Sequence, residues 1–158
     1  MRTLIVCVST SNGNTRKVAD HLAVVLHADV VEPEDVVVED LAGYDLVGFG
    51  SGIYVMSVHP RLLDLIGRLP AGEDRPVFTF STSGTVPLPC LGTGVAQRRL
   101  RQKGYRLLGD FNCRGLDTVG PLRLLGGINK GRPDEADLQR AEQFARTVQS
   151  ATERALRR

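Results

Sequence analysis

The segment Leu4-Ile5-Val6-Cys7-Val8-Ser9-Thr10-Ser11-Asn12-Gly13-Asn14-Thr15 reads as a strand, a polar loop and the start of a helix. Its first five residues are an unbroken apolar run rich in β-branched side chains, as in a strand covered on both faces. The polar residues then give way to Val18, Ala19, Leu22, Val25 and Leu26, which recur with helical spacing.

The same unit repeats outward from this segment. Leu46 to Phe49 is followed by Leu62, Leu63, Leu65 and Ile66, and Val77 to Phe80 by a helix from about Thr93 that Gly104 ends. Tyr105 to Phe111 is a further strand. Pro133, Asp134 and Glu135 open a last helix with Leu138, Ala141, Ala145, Val148 and Ala155 on one stripe. Ala28 to Val31 and Val36 to Val38 fit the remaining strand equally well. Strands buried on both faces and alternating with helices predict an α/β, doubly wound parallel sheet with right-handed crossovers. In such sheets ligands bind beyond the carboxyl ends of the strands. Those loops are residues 9 to 15, 50 to 59, 81 to 91 and 112 to 132.

At 158 residues the chain fits a single domain, 1–158, with no room for a separate substrate domain. A hydrophobic share of 42% supports a real core and excludes disorder. Aliphatic runs such as Leu22 to Leu26 are too short to span a membrane, and Met1-Arg2-Thr3 leads straight into a strand, so neither a span nor a signal peptide is expected. Cys7, Cys90 and Cys113 are odd in number and form no CxxC pair, which points to a reducing cytoplasm and gives no zinc spacing.

Charge is segregated along the chain. Residues 1 to 80 hold 6 basic and 11 acidic side chains, residues 81 to 158 hold 14 and 7, so a charged partner meets a dipolar molecule. Asp29, Glu32, Glu34, Asp35, Glu39, Asp40 and Asp45 crowd a stretch that has no Lys or Arg between Lys17 and Arg61. No basic stripe is interleaved with aromatics, and nucleic acid is not an expected partner.

The loop Ser9 to Thr15 carries hydroxyl or amide side chains on nearly every residue, a glycine for close backbone approach, and a helix N-terminus behind it. This is suited to an anion. It lacks the GxxxxGK[ST] of nucleoside triphosphate loops, and neither it nor Gly48-Phe49-Gly50-Ser51-Gly52-Ile53 completes the dinucleotide GxGxxG. A phosphorelay receiver needs an acidic pocket where Ser9 stands and an Asp where Gly50 to Gly52 stand. A low-molecular-weight phosphatase needs Arg six positions after Cys, where Gly13, Ala96 and Val119 occur instead.

Thr10-x-x-Gly13-Asn14-Thr15, with Ala19 and Leu22, resembles the FMN phosphate loop of flavodoxins. Gly50-Ser51-Gly52-Ile53-Tyr54 before His59-Pro60, and Phe80-Ser81-Thr82-Ser83-Gly84, resemble the two further flavin-contacting loops of short flavodoxin-like proteins. Cys113 to Asp117 and Gly126 to Pro133 also resemble that group. Val8, where flavodoxins usually carry an aromatic, and Arg16-Lys17, where they often carry an acid, depart from the pattern.

The resemblance implies a five-stranded sheet of order 2-1-3-4-5 with helices on both faces. It also implies FMN held by Ser9, Thr10, Ser11, Asn12, Gly13, Asn14, Thr15, Gly52, Ile53, Tyr54, Ser81, Thr82, Ser83 and Gly84. No catalytic side chain and no metal are implied. A phosphate suits a cage of N–H and O–H donors, and a flat ring needs an aromatic or apolar wall. Tyr54, placed in a loop past a strand end, is the expected stacking partner, and the chain has no Trp. Gly52 beside Ile53 is the expected site of a peptide flip that follows flavin redox state, by the same resemblance. Otherwise Gly50 and Gly52 let the chain turn off the strand.

His59, directly before Pro60, reads as a helix start rather than a catalytic base. Cys90 and Cys113 read as packed residues in loops, and Arg98, Arg99, Arg101, Lys103 and Arg106 as a solvated helix face open to an acidic redox partner. The leading function is electron transfer through FMN with a partner protein. The alternatives are an FMN-dependent NAD(P)H oxidoreductase, with Arg114, Arg123, Lys130 and Arg132 over a nucleotide or substrate, and a flavin-free regulatory module.

Overall fold

The computed structural model describes residues 1–10, 12–54, 56–84, 92–116 and 127–157. The chain runs β1 (Thr3–Val8), α1 (Asn14–Leu26), β2 (Asp29–Val31), β3 (Leu46–Tyr54), β4 (Ser57–Val58), α2 (Pro60–Arg68), β5 (Pro76–Ser83), α3 (Gly94–Gln102), β6 (Arg106–Arg114) and α4 (Glu135–Leu156). Five strands are parallel in the order β2-β1-β3-β5-β6, and the two-residue β4 pairs antiparallel with the end of β3. With β4 set aside this is the 2-1-3-4-5 order that the resemblance implied.

Alternation along the strands explains the two covered faces. Leu4, Val6, Val8, Val47, Phe49 and Val77 point to one side, where they pack with Leu62, Leu65 and Ile66 of α2 and Ala96 and Leu100 of α3. Ile5, Cys7, Leu46, Phe78, Phe80 and Phe111 point to the other, against Val18 and Leu22 of α1 and Leu138 and Ala145 of α4.

Register ties the carboxyl ends together: Val8 lies opposite Ser51, Gly52 opposite Thr82, and Ser83 opposite Arg114. β3 and β5 therefore run further than their apolar cores. The expected strands Leu46 to Phe49 and Val77 to Phe80 extend to Tyr54 and Ser83, because polar and glycine residues there still find ladder partners.

Other boundaries shift for similar reasons. The last parallel strand is Arg106–Arg114 rather than Tyr105 to Phe111; Tyr105 sits buried just before it. Cys113 is thus in a strand, not in a loop. Of the two candidates for the remaining strand, Asp29–Val31 pairs with β1, while Val36 and Val37 join two 3-10 turns at Pro33–Asp35 and Val38–Gly43.

Gly50 does not serve a turn. A Cβ on it would come within 1.9 Å of the Phe80 ring, and one on Gly48 within 2.3 Å of the Phe78 ring, so β3 lacks side chains where its neighbour's aromatics fold across it. Helix starts are encoded locally. Pro60 opens α2 with the His59 imidazole accepting from the Arg61 N–H, and Asp134 and Asp137 form a capping box at α4.

Candidate functional site

The carboxyl ends of β1, β3 and β5 lie side by side at the centre of the sheet, and the loop after β1 leads from them into α1. Asn12 and Gly13 are both left-handed (φ 54° and 65°), which reverses the chain within two residues so that α1 begins at Asn14. The N-cap residue Gly13 has no side chain to cap α1 and no acid lies in its first turn, so no charge within the helix offsets its positive end. Arg16 pairs with Asp20 at 2.8 Å, and its N–H donates to the Ser9 hydroxyl at 3.2 Å.

Hydroxyls link this loop to the neighbouring strands. Thr15 is 2% exposed and its Oγ1 is 2.8 Å from Thr82 Oγ1 on β5. Thr10 Oγ1 is 2.5 Å from the hydroxyl of Tyr54, the last residue of β3. Tyr54 is half-buried, with its ring edge-on to His59 at a centroid distance of 5.2 Å. It therefore belongs to a strand end rather than a free loop, held from both sides.

The amide side chains of the loop face a different group. Asn14 Nδ2 donates to the Leu116 carbonyl at 2.8 Å, and Asn12 Nδ2 to the same oxygen at 3.2 Å. Leu116 N–H in turn donates to the Arg132 carbonyl, and Lys17 Nζ to that of Pro133. Ser83 accepts from the Gly115 N–H at 2.9 Å, and Asn129 Nδ2 donates to the Gly84 carbonyl at 2.5 Å. Ser81 Oγ accepts from Asn112 Nδ2 at 2.7 Å. No role for Asn112 or Asn129 individually is legible in the sequence, since each acts through a partner far away in the chain.

Of the expected flavin-loop residues, Ser9, Thr10, Asn12, Gly13, Asn14, Thr15, Gly52, Ile53, Tyr54, Ser81, Thr82, Ser83 and Gly84 are described; Ser11 and Cys90 lie outside the described residues. The structure differs from the loop assignment for several. Gly52, Ile53 and Tyr54 are in β3, and Ser81, Thr82 and Ser83 are in β5, each paired to a neighbouring strand. Gly52 sits in the ladder opposite Thr82, and the left-handed residue of this segment is instead Met56, with φ 68°. Its carbonyl accepts from the Gly92 N–H at 2.9 Å.

Burial pushes the Cys7 thiol up to about 12, and does the same at Cys113, so both are neutral packing groups at ordinary pH. His59 caps α2, the helix start that its position before Pro60 predicted, and its backbone N–H donates to Ser51 Oγ at 2.9 Å. Among the described residues no group of His, Cys, Asp and Glu has the arrangement of a metal site, and no helix is long and apolar enough to cross a membrane.

A family model described as a flavodoxin domain matches residues 5–98. An uncharacterized protein of Methanocaldococcus jannaschii is 34% identical over 148 residues, 94% of this chain and 98% of that one. Among solved structures, a flavodoxin from the domain Archaea aligns with a TM-score of 0.73 at 14% identity, covering 97% of this chain and 99% of that one. Oxidised flavodoxin 1 from Bacillus cereus gives 0.73 at 16%, covering 95% and 98%. Rubredoxin oxygen:oxidoreductase of Desulfovibrio gigas gives 0.75 at 13%, with 99% of this chain matching 37% of that one. At these identities the solved structures speak to the fold.

Proposed function

The chain belongs to the flavodoxin domain family, and on that premise we propose that it is an FMN-binding electron-transfer protein, a single domain acting in the cytoplasm with a partner protein. The observation that carries this reading is the link between Thr10 and Tyr54, which joins an anion-suited loop to an aromatic wall.

The donor set fits the cofactor. A phosphate at the start of α1 would meet first-turn N–H groups, with Ser9, Thr10 and Thr15 hydroxyls around it and no acid in that turn to repel it. The amides of Asn12 and Asn14 serve the loop from behind, by holding it to Leu116. Tyr54 would supply the wall for the ring, with Gly52 leaving room beside it. Ser83 and Gly84 would present backbone to the ring's polar edge. When bound, FMN supplies one- and two-electron chemistry, and the chain's task is to bind it, orient it and exclude water.

The test is to release the cofactor from purified protein with acid, identify it, and add NADH or NADPH to the intact protein. Stoichiometric FMN that is reduced only through a separate reductase supports the carrier. Stoichiometric FAD or a colourless protein that takes up no FMN overturns the reading. Direct bleaching by NAD(P)H replaces the carrier with an oxidoreductase.

A further inference from the structure

We infer that the cleft where the end of β6 meets the start of α4 binds a phosphate group, free or carried on a small ester. The cleft has a volume of about 300 Å³ and is lined by Asn112, Cys113, Arg114, Arg132, Asp137 and Arg140. It shares no residue with the loop after β1, and the inference stands apart from the flavin reading.

Three guanidinium groups converge here, and two are fixed in place. The Asp137 side chain, 2% exposed, takes Arg132 Nη1 at 2.7 Å on one oxygen and Arg140 Nη2 at 2.5 Å on the other. The Asp134 N–H donates to the first of these oxygens, so the carboxylate has a partner for each of its atoms. Asp134 is likewise committed: it accepts from the Asp137 N–H at the helix start and lies 3.1 Å from Arg132.

Each arginine engages these acids through one terminal nitrogen, leaving the rest of its planar fork for another acceptor. Arg140 is also set over the Phe111 ring, 5.9 Å from its centroid, which restricts how its plane can rotate. Arg114 ends β6, exposed, and its side chain has no ion pair or hydrogen bond among the described residues.

The cleft is lined by three guanidinium groups and one carboxylate, Asp137, with Asp134 beside it, and Arg114 is the cation that neither acid engages. Such preorganised forks match the oxygen geometry of phosphate, and the volume admits a phosphate with a small organic group.

The experiment is an NMR titration of the FMN-loaded protein with inorganic phosphate, following backbone amides and arginine Nε–H signals. Saturable shifts at Arg114, Arg140 and Cys113 are expected, with the dissociation constant raised about tenfold or more in Arg114→Gln and in Arg140→Gln. Arg114→Gln removes no hydrogen bond or ion pair among the described residues, so it tests the site even where Arg140→Gln loosens the start of α4. If no FMN is taken up, the same titration is run on the free protein alongside Thr15→Ala, whose cleft binding should be unaltered. Shifts confined to residues 9 to 15, no saturable shift, or an unchanged constant in Arg114→Gln overturns the inference. The source of the phosphate is read separately. Tighter binding of NADPH than NADH, lost in Arg114→Gln and competed by inorganic phosphate, marks a nucleotide ester, and equal binding with no competition marks free phosphate.

Discussion

Thr15 Oγ1 and Thr82 Oγ1 lie 2.8 Å apart at a position where Thr15 is 2% exposed, so the start of α1, just past the loop after β1, is fastened to β5. A hydroxyl has one proton and two acceptor positions. If Thr82 donates to Thr15, the Thr15 proton is left available to a phosphate at the proposed site.

Thr15→Ala should therefore weaken FMN binding by about 1 to 3 kcal/mol, as expected for a buried donor removed from a charged group. Thr82→Val keeps the volume and removes only the strand-side partner, so its loss should be smaller. Fluorescence titration with FMN checks both, and equal dissociation constants in wild type and Thr15→Ala would show that the loop does not hold the phosphate.

Tyr54 contributes a ring and a hydroxyl, and the two are separable. Tyr54→Phe loses the contact with Thr10 and should cost about 0.5 to 1.5 kcal/mol of FMN affinity through the loop. Tyr54→Ala should lose the aromatic contribution in addition, about 0.5 to 1.5 kcal/mol plus lost burial, and should restore part of the flavin fluorescence that stacking quenches. Identical affinity and fluorescence in the two variants would refute stacking.

Gly50 and Gly67 form a matched pair of glycines. The Gly50→Ala methyl would enter the Phe80 ring, whereas a Cβ at Gly67 on α2 meets nothing within 4 Å. Gly50→Ala should destabilise toward the upper end of about 1 to 3 kcal/mol by overpacking. Gly67→Ala should stabilise by about 0.5 to 1 kcal/mol through helix propensity. Urea unfolding midpoints that move in the same direction for both would contradict the packing account.

The contrast also shows what the sequence could carry. Apolar runs and helical spacing located β1, α1 and α4, because burial on both faces leaves a local signature. They stopped short at Phe49 and Phe80, since Gly50 to Tyr54 and Ser81 to Ser83 remain in the sheet only through partners on other strands. The alternative of a turn at Gly50 misses its cause, the Phe80 ring thirty residues away, which no local pattern shows. The loop after β1 was legible because its chemistry is local, whereas the anchors at Leu116 and Asn129 exist only in three dimensions.

Asp137 makes stability depend on acid. Burial pushes its carboxyl up, but hydrogen bonds from Arg132, Arg140 and the Asp134 N–H together outweigh this and hold it below the usual 3.8. A folded value below the unfolded one means the contribution is complete above about pH 4 and is lost as the pH falls through the folded value. Asp137→Asn should lower stability at neutral pH, and the gap to wild type should narrow below pH 3.8. Denaturant midpoints taken across this range provide the check; a gap that stays constant in acid would remove the carboxylate from the account.

The segregation of charge bears on how a partner approaches. The β2 and β6 edges lie on opposite sides of the sheet, with α3 leading from β5 to β6. The acidic side is partly neutralised, since Arg61 bonds both Glu32 and Glu34. The basic side is also divided by task. Arg99 donates to the Leu63 carbonyl and Lys103 to that of Leu69, fastening α3 to α2, so they are not a freely solvated face. Arg98 and Arg101 remain exposed and have no carboxylate partner among the described residues. Arg98→Glu with Arg101→Glu should therefore slow electron transfer with an acidic partner while leaving FMN affinity and folding intact. Salt should slow the wild-type reaction as it screens fields beyond about 8 to 10 Å, and the double variant should have a flatter or inverted salt slope. Stopped-flow transfer rates over a range of ionic strength decide the matter: a rate with a cognate partner indifferent to both salt and charge reversal would rule out steering by α3.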